Sequence, residues 1–285
     1  MAVYKRGYEG YQGQLTPEWS RFLVIARQAY RRVFDSKRMI AFLALSFVPV
    51  LVYAILIYLP HNAGALQIFN IRKLLSIDAG FFYHFINTQG FLAFVLTAFL
   101  GPGLISADLA NNALPLYFCR PFSRTEYVLG KMSVLAILLS AITWIPGLLL
   151  FAFQSYLEGW TWFVQNMYIG SAIFVGSWIW IAVLSLLALA MSAWVKWKLA
   201  AGALIMASVF VTAGFGEAMS NMLHTDSGGL INILKDTDAV WFSLFRLDNS
   251  TGLSVESAVG MLVAVSGLCL YLLSRKIRAY EVERS

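Results

Sequence analysis

Residues 101–131 read GPGLISADLANNALPLYFCRPFSRTEYVLGK, a polar interlude between two long apolar runs. The first run ends on Gly101-Pro102-Gly103. Asp108 then brings in charge, and an amphipathic segment follows through Asn111, Asn112, Leu114 and Pro115. Arg120-Pro121, Ser123-Arg124 and Gly130-Lys131 lead into the second run. A chain inside lipid must satisfy its backbone hydrogen bonds internally, so apolar runs of about 20 residues read as spanning helices. The interlude then reads as a loop on one membrane face, its arginines held at the headgroups.

Composition extends that reading to the whole chain. Of its 285 residues, 59% are hydrophobic and only 13% charged, and the mean hydropathy is +0.70. A soluble domain carries roughly 25% charged residues. A deficit of this size means that apolar surface faces lipid, and an integral membrane protein follows. The net charge of +6 fits a basic excess at cytoplasmic headgroups better than a nucleic-acid partner. Cys119 falls in the interlude and Cys269 inside an apolar run, so no disulfide framework is expected. The first forty residues are mixed and basic, without the pattern of a cleavable signal peptide.

Working outward, six spans are expected: about 39–59, 89–107, 131–153, 167–194, 199–219 and 255–273. Thr16-Pro17-Glu18 reads as a helix start. It precedes an amphipathic helix with Trp19, Phe22, Leu23, Ala26, Tyr30, Val33 and Phe34 at helical spacing and Arg21, Arg27, Arg31, Arg32 and Lys37 around them. Such a helix lies in the membrane interface. The expected organisation is a Tyr/Gly-rich arm over 1–15, the interface helix over 16–38, the six-span domain over 39–275 and a tail over 276–285. With the N-terminus inside, seventeen basic residues fall on the cytoplasmic side. Only Arg72, Lys73, Lys235 and Arg246 fall outside, so both termini are expected in the cytoplasm.

Between the spans, 60–88 reads as an outer loop rich in aromatics, with Phe81, Phe82, Tyr83 and Phe85 partly in the interface. Trp160 and Trp162 read as an aromatic belt in a short outer loop. Residues 220–254 read as a long acidic segment with one or two short helices dipping into the outer leaflet, built on residues such as Leu230, Ile233, Val240 and Trp241.

The order of acid, short amphipathic helix, Arg120-Pro121-x-x-Arg124, aromatic, Gly130-Lys131 and new span resembles the segment after the second span of type-2 ABC exporter permeases. The resemblance covers roughly 17–278. It implies an all-α, six-span fold with a coupling helix between spans two and three and short extracellular helices between spans five and six. It also implies a plasma-membrane permease subunit working as a homodimer or heterodimer, with the substrate path between subunits. Each subunit would receive a separate ABC ATPase that binds ATP and Mg. The docking region implied on this chain is Asp108, Asn111, Asn112, Leu114, Pro115, Arg120, Pro121 and Arg124.

The residues themselves offer no nucleotide site. A phosphate-binding loop needs Gly-x4-Gly-Lys-Ser/Thr, but Thr125 stands at the first Gly position and Met132 follows Lys131. His61, His84 and His224 are scattered, and no metal-protease or Cys-x-x-Cys motif occurs, so neither catalysis nor a metal is expected. Glu217, after Gly214-Phe215-Gly216, sits near the outer end of span five and reads either as an interfacial carboxylate or as a pore or gate residue. Gly101-Pro102-Gly103 reads as a kink near the cytoplasmic boundary; the paired helix breaks of secondary transporters are not evident. A secondary carrier working without an ATPase and a non-transporting scaffold or sensor subunit stand as alternatives.

Overall fold

A computed structural model describes residues 21–61, 76–114, 123–224 and 226–282. Those residues form helices and the turns between them, without a strand. Six helical segments are long and apolar enough to cross a membrane: Lys37–His61, Ala79–Ala110, Arg124–Glu158, Trp160–Trp194, Lys198–Leu223 and Val255–Lys276. The number agrees with the sequence reading; several boundaries do not.

Three spans are broken, each for a local reason. Span one divides into α2 (Lys37–Ser46) and α3 (Val48–Tyr58), with Pro49 at the start of α3. Span two divides into α4 (Ala79–Leu100) and α5 (Pro102–Ala110) at Gly101. Span three divides into α6 (Arg124–Ile142) and α7 (Trp144–Glu158) at Thr143, three residues before Pro146. A proline removes one i→i−4 donor and crowds the preceding turn, so a helix bends there. Span four is the unbroken α8 (Trp160–Trp194) and span five is α9 (Lys198–Leu223). A short helix α10 (Ile233–Leu244) precedes α11 (Val255–Val282), which contains span six. Before span one stands α1 (Arg21–Phe34).

Burial sorts the spans into two groups. Within their apolar windows 72, 61 and 72% of spans two, three and four are buried, against 11, 22 and 22% of spans one, five and six. Spans two to four therefore form the core, and the other three present apolar faces outward. Leu51, Ile55, Leu199, Val211 and Val263 are exposed on those faces. Span four, with 35 residues, is about 52 Å long at 1.5 Å per residue, well beyond the roughly 30 Å hydrocarbon core. Spans two, three, five and six and α10 all pack on it.

Two expectations are corrected here. Residues 80–88 are not an outer loop: they open span two, capped by the Asp78 carboxylate, which accepts from the Phe81 amide at 3.1 Å. Phe82 and Phe85 are fully buried. Trp160 and Trp162 do not sit in a loop either. Spans three and four join through Gly159 alone, at φ 92°, a left-handed value that favours glycine. The helix α1 is more than a surface helix, because the Tyr30 hydroxyl donates to the Ser133 and Val134 carbonyls of span three, both at 3.3 Å. Burial pushes that hydroxyl's pKa well above the usual tyrosine range.

Candidate functional site

One end of the bundle carries Arg27, Arg31, Lys37, Arg38, Arg124, Lys196 and Lys198; it is called the basic end below. Where span two meets that end, Gly101 approaches span four so closely that a Cβ there would fall 2.7 Å from the Ala188 Cβ. The break leaves amides of α5 short of partners, and span four supplies one. Ser192 Oγ accepts from the amides of Ile105 (3.2 Å) and Ser106 (2.9 Å) and donates to the Pro102 carbonyl (2.9 Å). A buried hydroxyl thus replaces the helix's own hydrogen bonds at the kink.

Two turns further, Asp108 and Lys131 form a buried ion pair. Lys131 Nζ lies 2.7 Å from Asp108 Oδ2, with the two side chains 6% and 5% exposed. The Tyr127 hydroxyl donates to the same oxygen at 2.9 Å, and the ammonium lies 5.5 Å from the Tyr127 ring centre. The pair locks the end of span two to the start of span three. Span three is begun there by a capping box, in which Ser123 Oγ accepts from the Glu126 amide and Glu126 accepts from the Ser123 amide. Asp108, expected to face a partner, is committed inside the chain. Lys131, read as part of the entry to the next span, is its counter-ion.

The remaining expected docking residues are placed as follows. Asn111 and Asn112 are exposed at the end of α5, Asn112 at a left-handed φ of 50°, while Leu114 is buried. Arg124 is half-buried in the first turn of α6. Pro115, Arg120 and Pro121 lie outside the described residues, as do the Tyr/Gly arm and the Thr16-Pro17-Glu18 start. Glu217 is exposed near the far end of span five, 3.8 Å from Lys235.

The far end holds polar groups of the acidic segment that the sequence reading expected to carry one or two short helices. Asn232 caps α10, its Oδ1 accepting from the amides of Leu234 (3.0 Å) and Lys235 (3.3 Å). Asp236, one turn later, is 0% exposed, and neither carboxylate oxygen has a hydrogen-bond partner among the described residues. Burial pushes its carboxyl up to about 7. Asp238 Oδ1 accepts from the Tyr83 hydroxyl (3.3 Å) and from Asn87 Nδ2 (3.4 Å), both on span two. Burial raises this carboxyl too, against the opposing pull of the Tyr83 bond. Trp241 of α10 donates from Nε1 to the Gly176 carbonyl (3.1 Å), and Trp180 of span four donates to the Gly90 carbonyl (3.0 Å). Glycines at 90 and 176 make room for these rings: a Cβ would stand 2.7 and 2.9 Å from Trp241 atoms.

Two cavities lie along the seam between spans two and five. The larger, about 570 Å³, is at the basic end, lined by Ala29, Val33, Phe99, Leu199 and Met206 together with Lys131 and Lys198. The smaller, about 140 Å³, lies under α10. Ala98 and Gly202 belong to the wall of the larger cavity, where the two spans approach closely: a Cβ on Gly202 would sit 3.0 Å from the Ala98 carbonyl oxygen. No group of three or more potential metal ligands occurs among the described residues. No family model matches the chain, and no curated protein matches it in sequence.

Proposed function

We propose that this chain is the membrane-spanning permease subunit of an ATP-driven exporter of the type-2 ABC kind, with its basic end in the cytoplasm. It pairs with a second permease and takes its energy from separate ATPase subunits. The observation that carries the reading is the seam between spans two and five, which has a cavity toward each end, the larger one walled in part by the close approach of Ala98 and Gly202. Phe91, Phe99, Leu199 and Phe210 on its rim are exposed, so a second subunit would convert an open seam into a path. The polar loop lies at the basic end, between spans tied together by Asp108 and Lys131. A push on that loop reaches two core spans at once. Asn111, Asn112 and Arg124, with Arg120 and Pro121 in the adjoining sequence, supply a polar surface for an ATPase. The substrate path, once closed, would alternate between the two ends as ATP binding draws the ATPases together.

The test is co-purification. The tagged chain, solubilised from its native membrane, should bring down an ATPase in equal amount, and Arg124→Glu should reduce that yield at least fivefold at a temperature where the variant chain is still folded. A clean oligomer without a nucleotide-binding partner would sink the proposal. Asp236 favours a second reading, because a buried carboxyl that titrates near neutrality suits a proton-coupled carrier. Uptake driven by a pH gradient in liposomes holding this chain alone would establish that reading instead.

A further inference from the structure

The smaller cavity has a chemistry of its own. Its floor is made by Trp180 and Trp241, each 3% exposed, and its rim by Phe91 and Phe210, 58% and 54% exposed. The two tryptophan rings stand nearly perpendicular with centroids 6.4 Å apart, and Phe94 meets Phe210 in the same way at 5.9 Å. Both indole N–H groups are already spent on backbone carbonyls of Gly90 and Gly176. The walls therefore offer aromatic carbon, with the donors turned elsewhere.

Into this lining projects one carboxylate, that of Asp238. Its Oδ1 is engaged by Tyr83 and Asn87; Oδ2 has no hydrogen-bond partner among the described residues. None of the described Lys, Arg or His side chains forms an ion pair with it, and Lys235, one turn earlier on α10, lies 3.8 Å from Glu217 instead. A half-buried carboxylate with no counter-ion among the described residues is costly, and either a proton or a cation relieves it. Hydration favours small inorganic ions where water and oxygen ligands are plentiful. Here one carboxylate stands among five aromatic rings, the setting in which a weakly hydrated organic ammonium gains both Coulomb and cation–π attraction.

We infer that the pocket formed by Phe91, Phe94, Trp180, Phe210, Trp241 and Asp238 is a binding site for an alkylated ammonium group. About 140 Å³ admits a trimethylammonium head, whereas a bulky drug would have to leave most of its mass outside. Phe91 and Phe210 are exposed at its edge, so the head is presented either by a soluble amine or by a lipid. The inference does not rest on the exporter reading, because every group involved belongs to this one chain and binding needs no ATPase.

The experiment uses the purified full chain in nanodiscs of phosphatidylglycerol, which contain no ammonium lipid, with choline as the probe and titration calorimetry as the readout. Its uncharged carbon isostere, 3,3-dimethylbutan-1-ol, is the control. Choline should bind at least tenfold more tightly than the isostere. Asp238→Asn should remove that preference, and Phe91→Ala, at an exposed position that the fold does not need, should weaken choline at least threefold. Displacement of choline by phosphatidylcholine added to the nanodisc identifies a lipid headgroup as the source; binding untouched by it identifies a soluble amine. Equal binding of choline and the isostere, no binding of either, or an unchanged preference in Asp238→Asn would overturn the assignment.

Discussion

Replacing Lys131 by Met would strand the Asp108 carboxylate in a site only 5% exposed. The gross attraction in the pair can be sized from its 2.7 Å separation, and at an effective dielectric of 20 Coulomb's law gives about 6 kcal/mol. Bringing both ions out of water consumes much of that. The net worth of the pair against two apolar residues is therefore near zero, while loss of one partner alone costs about 3–5 kcal/mol. For a chain of this size about 1 kcal/mol moves the melting point by roughly 2–4 °C, so Lys131→Met and Asp108→Leu should each lower it by about 10 °C. The double variant Asp108→Leu/Lys131→Met should recover most of the loss, because no charge is left buried. The assay is thermal unfolding of the detergent-solubilised chain followed by tryptophan fluorescence, with four proteins forming a double-mutant cycle. Salt is the second axis. A dry pair is little screened, so 0.05 and 0.5 M salt should give the same cycle energy. Single variants that cost less than about 1 kcal/mol, or a cycle energy that collapses with salt, would match an exposed pair and refute the clamp.

The other outcomes concern the far end and the kink. Asp236 has a folded-state pKa raised from 3.8 to about 7, so the folded chain holds a proton that the unfolded chain has lost across that window. Stability is full below about pH 4 and falls, by roughly 4 kcal/mol at most, as pH rises to 7; Asp236→Asn should flatten this slope in melting curves taken from pH 5 to 8. Gly90→Ala drives a methyl to 2.7 Å from Trp241 and should cost about 1–3 kcal/mol by overpacking. Gly103→Ala meets nothing within 4 Å and should leave the melting point equal or slightly higher. Ser192→Ala removes the acceptor for two amides at the kink and should speed hydrogen exchange at Ile105 and Ser106 by tenfold or more, whereas unchanged exchange would show that the kink satisfies itself.

What the sequence disclosed depended on whether the signal was local. The spans were legible because an apolar run is a property of consecutive residues, and the short helix α10 was legible from the apolar spacing of Leu234, Val240 and Trp241. The start of span two was misplaced because His84, Asn87, Thr88 and Gln89 dilute its hydropathy, although only Asn87 and Gln89 of these turn toward protein while His84 and Thr88 are exposed. Asn87 turns to Asp238, and Gln89 donates to the Ser46 carbonyl of span one at 3.1 Å. Asp78 before Ala79 was the cue that a capped helix begins there. The Asp108–Lys131 pair gave no cue of that kind. Its members are 23 positions apart on two helices, and a lysine at the start of a span reads the same whether it meets headgroups or an acid. Asp236 and Asp238 were hidden because the sequence reading built the short helix from its apolar residues alone, and only the packing of α10 against spans four and six turns its acids inward.

Span two connects these findings physically. Asn87 and Gly90 serve the aromatic pocket, and Asp108, about 30 Å along at 1.5 Å per residue, serves the clamp. Between them stands the one place in the span where the backbone ladder is interrupted, at Gly101-Pro102, and where span four rather than the helix itself supplies the missing bonds. A rigid helix would transmit a displacement at Asp108 straight to Asn87. A helix broken there, its ends tied by Ser192 and by Ser106 Oγ on the Pro102 carbonyl, would instead pivot, moving the clamped end while the pocket end stays held by Tyr83, Asn87 and Trp180. On the exporter reading proposed above, the two ends of the seam between spans two and five would then change width independently, with the hydrogen bonds of Ser192 and Ser106 setting the pivot's stiffness.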